Sequence, residues 1–320
     1  MSNKYNKKLL VFNEDTQKFE SATPLKDNET FQIVPKTKDL NGKQIRYLKD
    51  KDCIEWHNDN LGGFVFMYFN DLIYNKNFNL ELGTISRIIY LATYIDYDNT
   101  LVLNNRYSSN IKKEFMNKKD IKEAMRLSDR AFSQFFKEVT EKEILIEIEK
   151  NKKYKINEQY FKRGTLTKED KNRGNFTRVY IKTIRKLYFY TEPRNHKCLS
   201  YMFKLLPFVD LKTNLLVFNP NQETEDLQKI TLRDIGDFFG ISKDRKNLNK
   251  FLDNNLFKIF IYENGKKYWI LNEIFIKNGG GLDDYFAINP MLFYGGNEYE
   301  NISTLMKQGL RLVSKSFFIA

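Results

Sequence analysis

An internal repeat constrains the fold of this chain more than any other feature of its sequence. The pair Asp120-Ile121 recurs as Asp234-Ile235 after 114 residues, and the segment that ends at Asn157 recurs with its end at Asn272 after 115. A nearly constant offset across roughly forty residues indicates a duplicated folding unit. The 320 residues are therefore expected to contain two related domains.

Each copy of the repeat carries the same predicted order of elements. An apolar helix comes first, over residues 84–97 in copy one and 199–209 in copy two, because apolar side chains recur there at intervals of three and four. A short strand and two more helices follow, and Ser128 and Ser242 are predicted to cap the third helix at its N-terminus. A hairpin closes each copy. This order is that of a winged helix-turn-helix domain.

The two hairpins are predicted from β-prone runs on either side of a turn. In copy one the turn is at Asn151-Lys152, and in copy two Glu263-Asn264-Gly265 turns a hairpin over residues 258–271. Asn-Gly favours a hairpin because both positions tolerate a positive φ. The pair Ile288-Asn289 repeats the spacing of Asn157 to a glycine seven residues later, and it is interpreted as a strand that extends copy two.

The predicted fold class is α+β, with tandem winged helix-turn-helix domains and a small N-terminal β arm. The arm contains a strand–turn–strand in LLVFNEDTQKFESA and a third strand over residues 31–34, and it is either packed structure or a partner-binding segment. Strand-like runs at 65–68 and 179–184 lead into the two copies. The expected boundaries are an arm at 1–62, a first domain at 63–164, a basic linker at 165–178, a second domain at 179–296, and a tail at 297–320 with a helix over 302–313.

Positive charge is concentrated in one stretch of the chain. The whole sequence has 53 Lys and Arg against 41 Asp and Glu, a net charge of +12. Residues 150–186 hold thirteen basic and three acidic residues, which accounts for +10 of that excess. Two interpretations remain open. The stretch is either a linker kept soluble by its charge, or a wing and linker that lie along phosphates and release counterions.

The third helix of copy one is the candidate recognition helix. Arg130, Ser133, Gln134 and Lys137 follow the spacing i, i+3, i+4, i+7 and share one face, opposite the apolar Phe132 face. Arg can bond guanine edges and Gln can bond adenine edges, so this face suits base recognition in a groove. The alternative is a solvated helix face without a ligand.

The remaining candidate DNA contacts are mostly lysines and arginines that suit phosphates better than bases. In the third helix of copy two they are Lys243, Arg245, Lys246, Asn249 and Lys250. At the hairpin tips they are Lys152, Lys153, Lys266 and Lys267, and in the connection between the copies they are Arg163, Lys171, Arg173 and Arg178. The Phe and Tyr stripes are interpreted as core.

No pattern in the sequence predicts catalysis. There are two histidines, His57 and His196, without a His-x-His pair, and there is no GxxxxGK[ST], GxSxG or HExxH. Cys53 and Cys198 lack metal-site spacing, so no metal, cofactor or catalytic residue is predicted, and a reducing cytoplasm is expected. No apolar run approaches the length of a membrane span.

Several segments resemble a known family. The helix GTISRIIYLATYIDY, the strand TLVLNN, the segment MNKKDIKEAMRLSDRAFSQFF and the hairpin end YKINEQYFKRG resemble the winged-helix replication initiators of RepL type from Firmicute plasmids, and related phage proteins. The two-copy layout is similar to initiators of theta-replicating plasmids. One departure is that copy two has Gly240 at its helix-turn-helix turn and copy one has no glycine there.

The resemblance implies a function. Such a protein binds double-stranded DNA at repeated origin sequences, bends or opens AT-rich DNA nearby, and recruits host replication proteins as a monomer or homodimer. Two alternatives stay open at this point: a transcriptional regulator or partition adaptor with the same fold, and a phage protein that inhibits a host or defence complex by binding protein.

Overall fold

The computed structural model describes residues 9–13, 18–24, 31–34, 62–69, 72–73, 80–103, 113–173, 176–210, 213–220, 226–242, 244–263, 265–278, 281–289 and 316–319. The chain forms two compact units, Met1–Lys51 and Asp52–Ala320. Within the first unit three strands form an antiparallel sheet in the order β1-β2-β3: β1 Leu9–Asn13, β2 Lys18–Pro24 and β3 Phe31–Val34. The three strands predicted for the N-terminal arm are therefore confirmed. The predicted closing helix over 302–313 lies outside the described residues.

The second unit is α+β, as predicted, and begins with copy one. Its strands and helices are, in chain order, β4 Phe64–Tyr68, α1 Leu82–Ala92, α2 Lys118–Met125, α3 Asp129–Glu141, β5 Leu145–Glu149, β6 Lys153–Ile156 and β7 Phe161–Lys162. Strands β5 and β6 pair as the predicted antiparallel hairpin, and Asn151 in its turn has φ 57°.

Local chemistry explains where the helices of copy one begin and end. Asn117 and Asp120 form a reciprocal capping box at the start of α2, and the Ser128 hydroxyl accepts a hydrogen bond from Ala131 N at the start of α3. Between them, Arg126 takes the left-handed conformation with φ 54°, at the position equivalent to Gly240 with φ 66°. The turn therefore has the same backbone in both copies, although copy one lacks the glycine.

The elements of the connection and of copy two come next. They are α4 Lys168–Asn172, β8 Phe176–Tyr180, α5 Ile181–Tyr190, α6 His196–Leu205, α7 Leu232–Phe239, α8 Arg245–Phe251, β9 Phe260–Glu263, β10 Lys266–Trp269, β11 Leu271–Asn278, β12 Gly281–Ile288 and β13 Ser316–Ile319. A π-helical turn over Leu252–Leu256 follows α8. Strand β11 lies between β12, which is antiparallel to it, and β13, which is parallel.

The structure differs from the sequence prediction in several local details. The 179–184 run is a strand only as far as Tyr180, and α5 begins at Ile181. The N-cap of α8 is Asp244, whose carboxylate accepts from Asn247 N at 3.2 Å, and not Ser242. Residues 165–178 include α4, which has its own capping box, and most of β8, so this stretch is folded structure.

In copy one the residues predicted to form a strand after the first helix make isolated β-bridges, one of them between Thr100 and Lys155 of the β5–β6 hairpin. Leu101 N donates to the carbonyl of Tyr154 at 2.9 Å, and Ile156 N donates to the carbonyl of Asn99 at 3.0 Å. Asn99 has φ 60°, and its side-chain amide also donates to the carbonyl of Ile156 at 3.2 Å.

In copy two the equivalent segment makes an isolated β-bridge with β12, between Leu215 and Ala287, and not with the predicted hairpin β9–β10. Leu216 N donates to the carbonyl of Phe286 at 2.7 Å, and Ile288 N donates to the carbonyl of Asn214 at 3.0 Å. Asn214 has φ 58°, and its amide donates to the carbonyl of Ile288 at 3.0 Å. Each of these three hydrogen bonds has an equivalent in copy one.

The structural counterpart of Asn157 is consequently Asn289, and not Asn272. Asn157 N donates to Ile144 O at 2.9 Å, and Asn289 N donates to Ile270 O at 2.7 Å. The β11–β12 hairpin thus occupies the place of β5–β6. The predicted hairpin of copy two does form, as β9–β10, but it is an insertion between α8 and the hairpin equivalent to that of copy one.

The two copies face each other about an approximate twofold axis. Strands β4 and β8 are antiparallel, and their register pairs Val65 with Val179, which are equivalent at the offset of 114. Ser86 and Ser200, also 114 apart, are in contact between α1 and α6, where Ser86 N donates to the Ser200 hydroxyl at 3.1 Å. Two contacts between equivalent residues, one of them in an antiparallel pair, are what a twofold relation produces.

A single hydrophobic core joins the copies. Buried side chains of both belong to one contiguous cluster, for example Ile89 and Phe135 from copy one with Phe203 and Leu248 from copy two. Tyr90 and Tyr188 stack across the seam with ring centroids 3.8 Å apart. The relative position of the copies is therefore fixed by packing.

Candidate nucleic-acid interface

The predicted recognition face of α3 is open to solvent. All four of its polar side chains are exposed: Arg130, Ser133, Gln134 and Lys137. On the opposite face Phe132, Phe135 and Val139 are buried. Lys137 pairs with Glu141 at 3.7 Å, but both are largely exposed, so this ion pair holds the lysine only weakly.

Glu138 fixes α3 against the start of α1. Its carboxylate accepts from Glu81 N at 3.1 Å and from the Thr84 hydroxyl at 2.6 Å. Lys118 lies over the ring of Phe136 at 4.4 Å, which adds a contact from α2. The exposed face of α3 is thus presented by a helix that is anchored on two sides.

The corresponding helix of copy two, α8, presents a basic face. Four of its predicted contact residues are exposed: Arg245, Lys246, Asn249 and Lys250. Leu248 on the other side is buried at 2% exposure. Lys243 lies outside the described residues.

The hairpin-tip lysines have neighbours that hold them in place. Lys152 is exposed and pairs with Glu149 at 2.7 Å. Lys153 lies over the Phe115 ring at 4.2 Å, and Lys267 lies over the rings of Phe260 and Trp269 at 3.8 and 3.9 Å. Lys266 lies in β10, and its side chain is outside the described residues.

Burial argues against the predicted DNA contact of Arg163. Its guanidinium is 5% exposed and donates to the carbonyl of Ile95 at 2.7 Å, so it stabilises the loop after α1 and does not reach phosphates. Arg185, which adds to the positive charge of the same stretch, donates to the hydroxyl and the carbonyl of Thr93 at 3.0 and 2.9 Å. Both arginines serve the fold.

The predicted contacts of the connection between the copies are divided. Lys171 in α4 is exposed. Arg173 is exposed but lies over the Tyr68 ring at 4.0 Å, and Arg178 is half-buried and lies over the Phe64 ring at 5.0 Å. Their positive charge faces solvent only in part, because one side of each guanidinium packs on an aromatic ring.

Lys162 also belongs to the fold and not to an open basic surface. Its ammonium pairs with Asp170 in α4, where Thr167 N and the Thr167 hydroxyl donate to the same carboxylate. Burial raises the pKa of Asp170, but the hydrogen bonds from Lys162 and Thr167 outweigh it and lower the pKa to about 2. The excess charge of residues 150–186 is therefore partly a structural feature.

Sequence reasoning missed a group of exposed aromatic side chains in copy two. Phe189, Tyr190 and Tyr262 are 62%, 45% and 45% exposed, whereas the aromatic stripes are predicted to be core. The one available signal was the adjacent pair Phe189-Tyr190 at the end of a helix, because neighbouring helical residues cannot both face the core.

His196 is buried at the N-terminus of α6. It is 1% exposed, and neither ring nitrogen has a hydrogen-bonding partner among the described residues. Burial, assisted by the nearby positive charge of Arg87, lowers its pKa to about 4. The ring packs against Tyr188 with centroids 4.1 Å apart. A neutral imidazole at this position can donate one hydrogen bond and accept another.

Comparison with protein-family models, with curated proteins and with solved structures gives no match to this chain. In the described part of the chain, no helix has the length and apolar character needed to cross a membrane. The same residues contain no group of three or more His, Cys, Asp or Glu side chains arranged to hold a metal ion.

Proposed function

We propose that this protein is a sequence-specific double-stranded DNA-binding protein with two tandem winged helix-turn-helix domains, acting as a replication initiator of a plasmid or phage. The observation that carries the proposal is the exposed polar face of α3, with Arg130 and Gln134, opposite a buried apolar face. Arg and Gln can each make two hydrogen bonds to one base edge. Helix α8, with its exposed lysines, would add mainly phosphate contacts.

The arrangement of elements supports this fold. In each copy a capped helix is followed by a left-handed turn residue, a second capped helix and a hairpin paired with the strand after the first helix. The hairpins β5–β6 and β11–β12 would be the wings. A replication initiator of this kind would open AT-rich DNA beside its site and recruit host replication proteins.

The twofold relation predicts the symmetry of the DNA site. Helices α3 and α8 occupy equivalent places in copies that are antiparallel at Val65 and Val179. They would therefore meet a duplex in opposite orientations, and a site for both should contain two elements in inverted order.

The test begins with selection from a randomised duplex library by the full chain. A selected sequence is then compared with scrambled DNA for Arg130→Ala and Gln134→Ala. Each substitution should weaken specific binding by about 1–3 kcal/mol and relax selectivity at a single base pair. Lys250→Ala should weaken all sequences alike and lower the salt slope by about one unit.

Lys119→Ala is the matched control, because it removes one exposed positive charge from α2, outside the proposed interface. Binding without sequence preference, together with a flat salt dependence, would contradict the proposal. Maintenance of a plasmid that lacks any other initiator separates replication from a role in transcription or partition.

A further inference from the structure

Four aromatic side chains form a continuous row on copy two, which we call the aromatic ridge: Phe189, Tyr190, Tyr262 and Phe260. Successive ring centroids lie 5.7, 5.9 and 5.4 Å apart, with interplanar angles of 74° to 84°. Three of the four side chains are at least 45% exposed. Large aromatic groups are seldom left in water in such numbers at one place, so the ridge indicates a ligand.

The inserted hairpin builds this ridge. Strand β9 carries Phe260 and Tyr262 and packs beside α5, which ends with Phe189 and Tyr190. In copy one the third helix leads directly into the β5–β6 hairpin through Ile144. The ridge is thus a property of copy two, and the twofold relation between the copies does not account for it.

Three positively charged side chains lie beside the ridge. The guanidinium of Arg126 lies 4.7 Å from the Phe189 centroid, and the Lys267 ammonium lies 3.8 Å from the Phe260 centroid. Lys258, just before β9, is exposed. An apolar protein partner would remove Arg126 and Lys258 from water without offering a counter-charge, which is unfavourable. A ligand with flat rings and negative charges satisfies both the aromatic side chains and the cations.

Two cavities adjoin the ridge, and residues 190–192 line both of them. The first, of about 170 Å³, is lined by residues that include Arg126, Phe189 and His196. The second, of about 340 Å³, is lined by residues that include Lys258 and Phe260. His196, which is 1% exposed, is one of the residues that line the first cavity.

We propose that the aromatic ridge binds single-stranded DNA, with unpaired bases stacked on its rings and phosphates near Arg126, Lys258 and Lys267. Base stacking on exposed aromatic side chains between cations is how proteins hold single strands without reading their sequence. A duplex cannot use the ridge in this way, because its base faces are covered by neighbouring base pairs. The inference deepens the proposed function and rests on it, since an initiator that opens a duplex releases single strands.

The experiment measures binding of the full chain to a fluorescein-labelled oligodeoxythymidylate by anisotropy. The triple variant Phe189→Ala, Tyr190→Ala, Tyr262→Ala should bind at least about tenfold more weakly, since it lacks three rings on which bases would stack. Tyr97→Ala is the matched control, because Tyr97 is 61% exposed on copy one and lies outside the ridge. It should bind like the parent chain.

A second triple variant, with leucine at the same three positions, keeps the apolar surface and removes the flat rings. Loss of binding in this variant supports stacking, and full binding overturns it. A triple variant with tryptophan at these positions should retain or improve binding, which also shows that the fold tolerates change there.

Duplex binding separates this inference from the proposed function. Arg130→Ala should lose specific duplex binding and keep single-strand binding, and the ridge variants should do the opposite. The chain could bind single strands through the ridge and yet show no sequence preference for duplex DNA. That result would support the inference about the ridge and contradict the proposed function as an initiator. The inference is overturned if the parent chain does not bind single strands, or if the ridge variants bind them as tightly as the parent chain does. The ridge would then be assigned to a protein partner.

Discussion

The backbone amide of Ser86 donates a hydrogen bond to the hydroxyl of Ser200, its equivalent 114 residues later in the repeat. The same hydroxyl donates to the carbonyl of Leu82, and Ser200 has no exposed surface. Helices α1 and α6 therefore meet through a small polar side chain at the seam between the copies. The contact ties together two copies that the sequence presents as separate domains.

Ser200→Ala should destabilise the chain by about 1–3 kcal/mol, because it leaves buried backbone groups of α1 without this hydroxyl. Urea unfolding followed by circular dichroism measures the change. Ser133→Ala, on the exposed face of α3, is the control and should change the free energy of unfolding by less than about 0.5 kcal/mol. If both substitutions change the free energy of unfolding by the same small amount, the seam does not depend on this hydrogen bond.

Glu143→Gly should stabilise the chain by about 1 kcal/mol. Glu143 follows α3 with φ 53°, and its amide donates to Thr140 O while Ile144 N donates to Val139 O, which is the Schellman motif that favours glycine. Thermal unfolding measures the gain. Glu143→Ala removes the same carboxylate and keeps the strained conformation, so a matching gain in that variant would attribute the effect to charge.

Gly236→Ala should destabilise the chain by about 1–3 kcal/mol through overpacking. A Cβ at this position would lie 2.3 Å from a methyl carbon of Leu248, which is buried between α7 and α8. The control is the same substitution in a Leu248→Ala background, where the clash is absent and alanine in a helix is favourable. If Gly236→Ala has the same effect in both backgrounds, contact with Leu248 is not the reason for the glycine.

Stability should fall as the pH is lowered from about 7 to about 5, by about 2 kcal/mol from His196 alone. The folded-state pKa of His196 is about 4, below its ordinary value of 6.5, so the unfolded chain takes up a proton in this range and the folded chain does not. Its stabilising contribution is complete above pH 6.5 and is lost as the pH falls toward 4. Urea unfolding at several pH values measures this slope.

His196→Leu should flatten that slope, because leucine fills a similar volume and does not titrate. The comparison of the two chains removes the contribution of other titrating groups, which is common to both. An unchanged slope in the variant would mean that His196 is not the group that titrates.

Local sequence was sufficient for the elements of each copy. The start and the two faces of α3 and the turn of the β5–β6 hairpin depend on neighbours within a few residues. The Ser128 cap, the apolar face of α3 and the Asn151 turn therefore lie where the sequence predicts them. The exposed face with Arg130 and Gln134 follows from the same helical periodicity. The offset of 114 residues is by itself sufficient to indicate that one folding unit occurs twice.

Only the tertiary structure decided which strand pairs with which. The pair Leu271-Asn272 follows the hairpin β9–β10, and the pair Ile288-Asn289 lies at the end of β12. The local sequence pattern cannot distinguish these two pairs. In the structure Asn214 forms its hydrogen bonds with Ile288 in β12. Pairing between distant segments depends on packing of the whole domain, which no short stretch of sequence encodes.

Tertiary packing also determines which charged and aromatic side chains are buried and which are exposed. Arg163 and Lys171 are both basic residues of one segment, yet the first is buried under the loop after α1 and the second faces water. Phe189 resembles a core residue in sequence, yet it lies in the last turn of α5 and is 62% exposed. The sequence by itself determined a duplicated α+β unit with a polar helix face. Tertiary packing determined which charges and rings remain available to a ligand, because burial depends on residues far along the chain.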